Sequence, residues 1–257
     1  MKKLTYLFVL LMLSFPVCAS ASNYIRGDVD RDGNVGIGDV AGLIDYLLSG
    51  VWDDEPADVH EYVDLGLPSG TLWATMNIGA ESPEDFGDYF AWGETAPKSN
   101  YHWDTYTLCD NGNDRVMLKY CTYSNGQGAP TGIVDNIFEL EPEDDAAYVN
   151  WGPLWRMPSY SQMEELRTKC SWQWTQMNNV NGCLLTGPNG NSLFLPAAGV
   201  RMWTFLHLDG SACLYWMRTI NYQMPKEAYD LLIQSDDCKR SSYVRHAGLS
   251  VRAVRVQ

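Results

Sequence analysis

Hydrophobic residues at helical spacing predict a first helix near the beginning of the chain. Five apolar residues follow an i, i+3, i+4, i+7, i+8 pattern: Val40, Leu43, Ile44, Leu47 and Leu48. Ser49 and Gly50 come next and predict its end. The helix therefore has one apolar face, which needs a neighbouring element or a second molecule to cover it.

A capping box predicts the start of a second helix. Ser159 is followed three residues later by Gln162, so each side chain is placed to accept a hydrogen bond from the main-chain N–H of the other residue. Met163, Leu166 and Cys170 then fall on one face of the helix. We expect this face to pack on a sheet.

Short alternating runs separated by turn residues predict that the rest of the chain is mostly β. Residues 71–77 and 88–93 are strand candidates. The apolar runs 184–185 and 192–195 flank a Gly-Pro-Asn-Gly-Asn segment whose Asn-Gly pair favours a tight hairpin turn. Residues 249–256 alternate and then change phase, which predicts a final strand with a bulge. The expected fold class is α+β, mostly antiparallel, with few helices.

The charge of the chain narrows the choice of partners. Its 257 residues carry 32 Asp and Glu against 18 Lys and Arg, a formal net charge of −14. A surface this acidic repels phosphate backbones and anionic lipids, so no nucleic-acid partner is expected. Divalent cations are more natural partners. No segment after the first 21 residues is long and apolar enough to predict a membrane span.

The first residues resemble a signal for export. Two lysines at 2–3 precede an apolar run at 4–17, and Ala-Ser-Ala at 19–21 fits the small-x-small rule for cleavage. We therefore expect residues 1–21 to be a cleaved signal peptide and the mature protein to be secreted, extracellular or on the cell surface, with the periplasm as a further compartment. A lipoprotein anchor at Cys18 is the alternative.

Export changes the interpretation of the cysteines. Six remain after the predicted cleavage, an even number in a compartment that permits disulfides: Cys109, Cys121, Cys170, Cys183, Cys213 and Cys238. Sequence does not choose among the pairings, and a local bridge between Cys109 and Cys121 is the first candidate. Since no pair has C-x-x-C spacing, structural roles are favoured over metal or redox chemistry.

The segment GDVDRDGNVGIGD predicts a calcium loop. Counted from Asp28 as position 1, acidic residues fall at positions 3, 5 and 12, a glycine at position 6 supplies the turn, and position 7 offers a main-chain carbonyl. The predicted Ca²⁺ ligands are Asp28, Asp30, Asp32, Asn34 and Asp39. Gly36 at position 9 has no side-chain oxygen, so a water molecule is expected there. An acidic turn that binds nothing is the alternative.

This loop and the helix after it, residues 22–50, resemble one repeat of a type I dockerin. Dockerins are calcium modules that dock bacterial proteins onto cohesins, so the resemblance implies calcium binding and a cohesin-type partner. Dockerins normally carry two repeats, whereas residues 57–61 do not repeat the acidic spacing. Whether a single repeat is sufficient for docking stays open. Residues 51–61 are acidic, contain Pro56 and are predicted to be a linker.

The remaining region, 62–257, resembles the Fibrobacter succinogenes major paralogous domain of exported bacterial proteins. The resemblance rests on six ordered motifs, which are VDLGLPSGTLWATMNIGA, GDYFAWGE, PEDDAAYVNWG, WRMPS, GPNGNSLFLPAAGVR and SVRAVR. It implies a C-type-lectin-like fold of the group that includes formylglycine-generating enzymes. Met76 stands where relatives often have Cys, so a family disulfide through that position is in doubt.

No catalytic constellation is predicted. Glu143, Asp144 and Asp145 offer a carboxylate pair for glycoside hydrolysis or a second calcium site. The favoured interpretation is that Pro142 and these acids begin a short helix, whose N-terminus attracts negative charge. His60 and Glu61 begin like a zinc-protease motif that lacks its second histidine.

The ten tryptophans are the remaining lead. Seven lie in loop-like sequence, where an exposed ring would suit sugar binding and core filling is the alternative: Trp52, Trp92, Trp103, Trp151, Trp172, Trp174 and Trp203. Three lie in motif strands and are assigned to the core: Trp73, Trp155 and Trp216. The function expected is a non-catalytic binding or adhesion role toward a glycan or a protein. The alternative is a component of polysaccharide degradation, either associated with a glycoside hydrolase or docked to a cohesin.

Overall fold

The computed structural model describes residues 60–121 and 134–256, together with Val40, Leu43 and Ile44. The chain divides into two units, residues 1–58 and 59–257. In the first unit Val40, Leu43 and Ile44 are helical, as the apolar spacing predicts, and the side chains of Val40 and Ile44 are exposed. The five predicted calcium ligands and the predicted signal peptide lie outside the described residues.

The second unit contains fourteen strands and two α-helices among its described residues. The helices are α1 (Ala146–Trp151) and α2 (Tyr160–Lys169). The strands are β1 (Tyr62–Asp64), β2 (Leu72–Ala74), β3 (Cys109–Asp110), β4 (Asn113–Met117), β5 (Trp155–Arg156), β6 (Ser171–Met177), β7 (Val180–Thr186), β8 (Ser192–Pro196), β9 (Val200–Met202), β10 (Phe205–His207), β11 (Cys213–Ile220), β12 (Glu227–Ile233), β13 (Cys238–Val244) and β14 (Val254–Arg255).

The strands form five small sheets in which every described strand pair is antiparallel. The orders are β1-β2-β14-β5, β6-β7-β8, β11-β12-β13, β3-β4 and β9-β10. The expected class, mostly antiparallel with few helices, is therefore confirmed at this level. Within the described ranges, no helix has the length and apolar character that crossing a bilayer requires.

Two local predictions are confirmed in detail. Ser159 caps α2, its hydroxyl accepts from the main chain of Gln162, and the Gln162 side chain accepts from Ser159 in return. The apolar face of α2 is buried at Met163 and Leu166, and the helix packs on β11 and β13. The hairpin turn predicted at Asn189 and Gly190 joins β7 to β8.

Three strand predictions are wrong in extent. Of residues 71–77, only Leu72–Ala74 form a strand, β2. Residues 88–93 form only an isolated bridge, between Phe90 and Leu249, and the final strand is reduced to β14. The reason is that the last segment changes partner along its length: Leu249 pairs with Phe90, Ser250 with Tyr215, and Val254 with β2 and β5. The alternating apolar residues in these segments therefore indicate burial, not a strand, because the chain is extended and buried there without a continuous ladder of hydrogen bonds.

The core is rich in aromatic side chains. Trp73, Trp155 and Trp216 are fully buried, as predicted. Trp92, which lies in loop-like sequence, is also fully buried, and its indole N–H donates to the carbonyl of Met217 at 2.8 Å. Core filling is therefore the correct interpretation for Trp92, since even a chain segment without regular strand structure contributes its large side chains to this core.

Candidate functional site

An exposed tryptophan lies at the tip of the β9–β10 hairpin. Trp203 and Thr204 connect the two strands, and the Trp203 backbone has a φ of 57°. This left-handed region is rare for a bulky residue, and hairpin turns normally place glycine or asparagine there. Such a strained position persists only when its surroundings fix it, and it often marks a binding site.

Main-chain hydrogen bonds fix this tip to the segment at Tyr101. The N–H of Trp203 donates to the carbonyl of Tyr101 at 2.8 Å, and the N–H of Tyr101 donates to the carbonyl of Trp203 at the same distance. Tyr101 is itself buried, and its hydroxyl donates to the carbonyl of Tyr89 at 2.6 Å. The backbone that carries the Trp203 ring is therefore anchored in the core.

A histidine supports the indole ring. The imidazole of His102 stacks on Trp203 with ring centroids 3.8 Å apart and planes 23° apart. His102 caps the short helical turn Trp103–Thr105, and its Nδ1 lies 3.0 Å from a carboxylate oxygen of Asp104. Trp203 remains 52% exposed as a residue. One face of its ring is therefore supported from below, while about half of the residue faces solvent.

A second histidine lies beneath this layer. His246 is buried and packs edge-on against Trp103, with ring centroids 4.6 Å apart. Its Nδ1 lies 3.2 Å from the carbonyl of Tyr101, and burial lowers the pKa of His246 to about 4. His246 is therefore neutral at pH 7, so the layer below Trp203 does not change charge near neutrality through this residue.

The same hairpin exposes further apolar and polar groups. Phe205 is 63% exposed and Leu208 is 47% exposed. Asp104 and Asp209 are exposed carboxylates in the adjoining segments. We name the set Trp203, His102, Phe205 and Leu208 the hairpin surface. A flat ring beside exposed carboxylates is suited to the apolar face and the hydroxyls of a sugar.

Of the other six tryptophans in loop-like sequence, Trp92 is fully buried in the core. Four are partly buried and do not present a comparable ring: Trp103, Trp151, Trp172 and Trp174. Trp52 lies outside the described residues. Sequence includes Trp203 among seven candidates but does not separate it from the rest, because neither its left-handed backbone nor its stack on His102 has a local sequence signal.

The three acidic residues Glu143, Asp144 and Asp145, here called the acidic triplet, have structural partners. Asp145 is fully buried and caps α1, which agrees with the favoured interpretation of a helix start. Asp144 lies 2.6 Å from both the ammonium of Lys119 and the hydroxyl of Tyr120. Glu143 is exposed, and its carboxylate lies 3.6 Å from the ammonium of Lys119. Asp144 and Asp145 thus bind different partners, and Asp145 is not exposed to a solvent-borne substrate.

No disulfide joins the described cysteines, and the candidate bridge between Cys109 and Cys121 is not formed in this structure. The thiol of Cys109 instead lies 3.4 Å from the carbonyls of Trp103 and Tyr106. Burial raises the pKa of Cys183 to about 12 and that of Cys170 to about 11. These thiols are therefore protonated at neutral pH and poorly reactive in the native state.

Neither the search for metal sites nor the comparison with known proteins assigns a function to this chain. Among the described residues, no group of three or more His, Cys, Asp or Glu side chains is arranged to hold a metal ion. Comparison of the chain with protein-family models, with curated proteins and with solved structures gives no match. The functional argument therefore rests on the residues and their geometry.

Proposed function

We propose that this chain is a secreted or cell-surface binding protein that holds a glycan on the hairpin surface without transforming it. The observation that carries the proposal is Trp203, a half-exposed residue whose ring stacks on His102 and whose backbone is left-handed. Natural sequences tolerate strain of this kind mainly where a function requires the geometry. A supported, exposed indole is the group that stacks on the apolar face of a sugar ring.

The finer fold assignment belongs to the same proposal. Small antiparallel sheets, two short helices and long extended connections are compatible with a C-type-lectin-like domain of the major paralogous kind. The predicted export signal and the ordered motifs of the region 62–257 support this assignment from the sequence. On this proposal the hairpin surface is carried by the domain, and residues 22–50 attach the protein to a partner.

The attachment unit is proposed to bind calcium through Asp28, Asp30, Asp32, Asn34 and Asp39. Three carboxylates spaced two residues apart before a glycine turn supply the hard oxygen ligands that calcium prefers. The exposed apolar side chains of Val40 and Ile44 support capture of a cohesin-type protein by the following helix. Isothermal titration with calcium tests the loop, with Asp39→Ala as the variant that should lose the heat of binding.

Affinity electrophoresis tests the glycan site. The full chain is run through gels that contain soluble neutral polysaccharides such as xylan, β-glucan and galactomannan. We expect one of them to retard the wild type, and Trp203→Ala to weaken that binding at least tenfold, about 1.4 kcal/mol. Phe138→Ala, which removes another aromatic ring that is 49% exposed, should leave retardation unchanged. Equal retardation of wild type and Trp203→Ala would remove the hairpin surface from the proposal.

The alternative is a component of polysaccharide degradation. The acidic triplet favours it, because Glu143 and Asp144 place two carboxylates near the surface. A reducing-sugar assay on the same polysaccharides distinguishes the two functions. Release of reducing ends by the wild type that is lost in Asp144→Asn would establish the alternative, whereas retention on a polysaccharide without release supports a binding role.

A further inference from the structure

A cleft at one end of the four-stranded sheet is lined by three arginines. Its volume is about 280 Å³. Arg156 of β5, Arg218 of β11 and Arg255 of β14 all line it, and none of the described residues that line it is acidic. This is a concentration of positive charge in a chain whose net charge is −14. Three guanidinium groups around one small space repel one another unless anions lie close by.

Arg156, one of the residues that line this cleft, has an unsatisfied donor. Its guanidinium carbon lies 4.1 Å from the ring centroid of Tyr148, so the aromatic face fixes the position of the side chain. Its buried Nη1 has no hydrogen-bond partner among the described residues. A buried donor without an acceptor is costly, which makes it an observation that needs a ligand or a water to explain it.

Asp145, the acidic residue whose charge interacts with that of Arg156, is engaged by other groups. Asp145 is close enough for its charge to interact with that of Arg156, but its carboxylate accepts from the main-chain N–H groups of Ala147, Tyr148 and Met157. Asp145 therefore does not supply the acceptor that Nη1 lacks.

Arg218 is only partly neutralised. Its Nε donates to a carboxylate oxygen of Glu139 at 2.8 Å, and its Nη1 lies 3.4 Å from the carbonyl of Met157. A guanidinium group has five N–H donors in one plane, so further donors remain for a ligand. Arg255 adds the third positive charge, with its guanidinium carbon 5.1 Å from the ring centroid of Tyr62.

Neutral hydrogen-bonding groups complete the lining. The capping box of α2 holds the Gln162 amide so that its Nε2 lies 3.3 Å from the hydroxyl of Thr71. The hydroxyl of Ser69 lies 2.7 Å from that of Thr71 and also binds the carboxylate of Glu165. Hydroxyls and an amide beside paired arginines are suited to a ligand that combines an anionic group with neutral hydroxyls.

We infer that this cleft binds the oxyanion of an acidic saccharide, either a uronate carboxylate or a sulfate ester. Arg156 and Arg218 supply planar donors for two oxygens of one anionic group, while Thr71 and Gln162 contact the sugar hydroxyls. The volume is slightly below the usual range of ligand pockets, which favours a single sugar unit. Nucleic acid is disfavoured because the rest of the chain repels a polyphosphate.

The hydroxyl and amide groups also favour a saccharide over the C-terminal carboxylate of a peptide. Peptide recognition normally needs pairing of the main chain or apolar pockets for side chains. The inference does not depend on the hairpin surface, because the two sets of residues do not overlap. The variant Trp203→Ala should therefore leave this binding unchanged, so the failure of one proposal is distinguishable from the failure of the other.

Isothermal titration of the full chain provides the test. The probes are galacturonate oligosaccharides, galactose 6-sulfate, neutral galactose, inorganic sulfate and a blocked dipeptide with a free carboxylate. We expect binding of at least one acidic saccharide, none of galactose, and an affinity that falls as salt rises. Arg156→Gln should weaken it at least tenfold, and Arg218→Gln should also weaken it. Arg115→Gln removes the same charge from an exposed position on β4 and should leave it unchanged.

Circular dichroism of each variant establishes that the fold is retained, and Arg156→Lys separates charge from geometry. A lysine keeps the charge but loses the planar fork, so it should recover only part of the affinity. Several results would overturn the inference: no heat with either acidic saccharide, equal binding by Arg156→Gln and wild type, or inorganic sulfate or the dipeptide binding as tightly as the saccharides.

Discussion

The carboxylate of Asp145 accepts the main-chain N–H of Met157 through both of its oxygens, at 3.0 Å each. The same carboxylate caps α1 by accepting from Ala147 at 2.9 Å and Tyr148 at 3.2 Å. One fully buried side chain thus joins the start of α1 to the residue that follows β5. Because β5 carries Arg156, this contact also fixes one wall of the cleft lined by Arg156, Arg218 and Arg255, here called the arginine cleft.

Replacing Asp145 by alanine should lower the free energy of unfolding by about 3 kcal/mol. The loss of a helix cap costs about 1 kcal/mol, and the buried N–H of Met157 loses its acceptor at a further cost of about 1–3 kcal/mol. Urea denaturation followed by tryptophan fluorescence measures the change. Asp145→Asn keeps one acceptor and should lose less, and exposed Asp209→Ala should be nearly neutral. A loss below about 1 kcal/mol for Asp145→Ala would contradict this role.

Local signals explain which parts of the fold could be predicted from the sequence. The cap at Ser159 and the turn at Asn189 and Gly190 depend on residues within a few positions of one another, and both predictions are confirmed. The extent of the segments around Phe90 and Leu249 depends on partners that are far away in the chain. The pattern of apolar residues reports that these segments are buried, but it does not report which strand they meet.

The arginines near the end of the chain illustrate the same limit. The basic composition of residues 239–257 suggests that they seat the C-terminal strand against the acidic remainder. Arg245 and Arg252 are in fact fully buried, and hydrogen-bond acceptors for them are main-chain carbonyls and neutral side chains. For these two arginines a structural role is therefore correct, but they act by donating to carbonyl groups, which leaves no trace in the charge pattern. The arginine cleft has no sequence signal for a similar reason, since its three arginines come from three separate strands.

The variant Trp203→Gly should be more stable than the variant Trp203→Ala. Trp203 has a φ of 57°, a conformation that costs a residue with a Cβ about 1 kcal/mol and glycine almost nothing. We therefore expect the free energy of unfolding of Trp203→Gly to be about 1 kcal/mol higher than that of Trp203→Ala. Both variants lose the stack on His102. Chemical denaturation of the two variants gives the difference directly. The opposite order, which is normal for an extended strand, would show that this backbone conformation is not maintained.

Arg245 should tolerate no replacement by lysine. Its guanidinium group donates to the hydroxyl of Tyr106 at 2.7 Å and to three main-chain carbonyls: those of Lys119, Tyr120 and Pro225. An ammonium group has three donors and no planar fork, so it would leave a buried charge with incomplete partners. We expect Arg245→Lys to lose about 3 kcal/mol or more in urea denaturation. Exposed Arg240→Lys is the control, and a loss for Arg245→Lys as small as that of the control would refute the role.

Asp230 is a buried carboxyl group in the middle of β12, opposite Trp216 and Ser241. Neither of its oxygens has a hydrogen-bond partner among the described residues. Burial, with a smaller contribution from Glu227, raises the pKa of Asp230 to about 8 from its ordinary value of 3.8. The folded state therefore keeps this proton over a pH range in which the unfolded chain releases it.

The sign of the pH dependence follows from this difference in bound protons. Between about pH 4 and pH 8 the folded state binds the extra proton, so each unit of rising pH costs the wild type about 1.4 kcal/mol relative to Asp230→Asn. The two proteins should have similar stability at pH 4, and the variant should be increasingly more stable up to pH 8, where the difference levels off. Urea denaturation at several pH values measures it, with exposed Asp236→Asn as a control for charge removal. A stability difference that does not change with pH would mean that Asp230 is ionised in the folded protein and has a partner there.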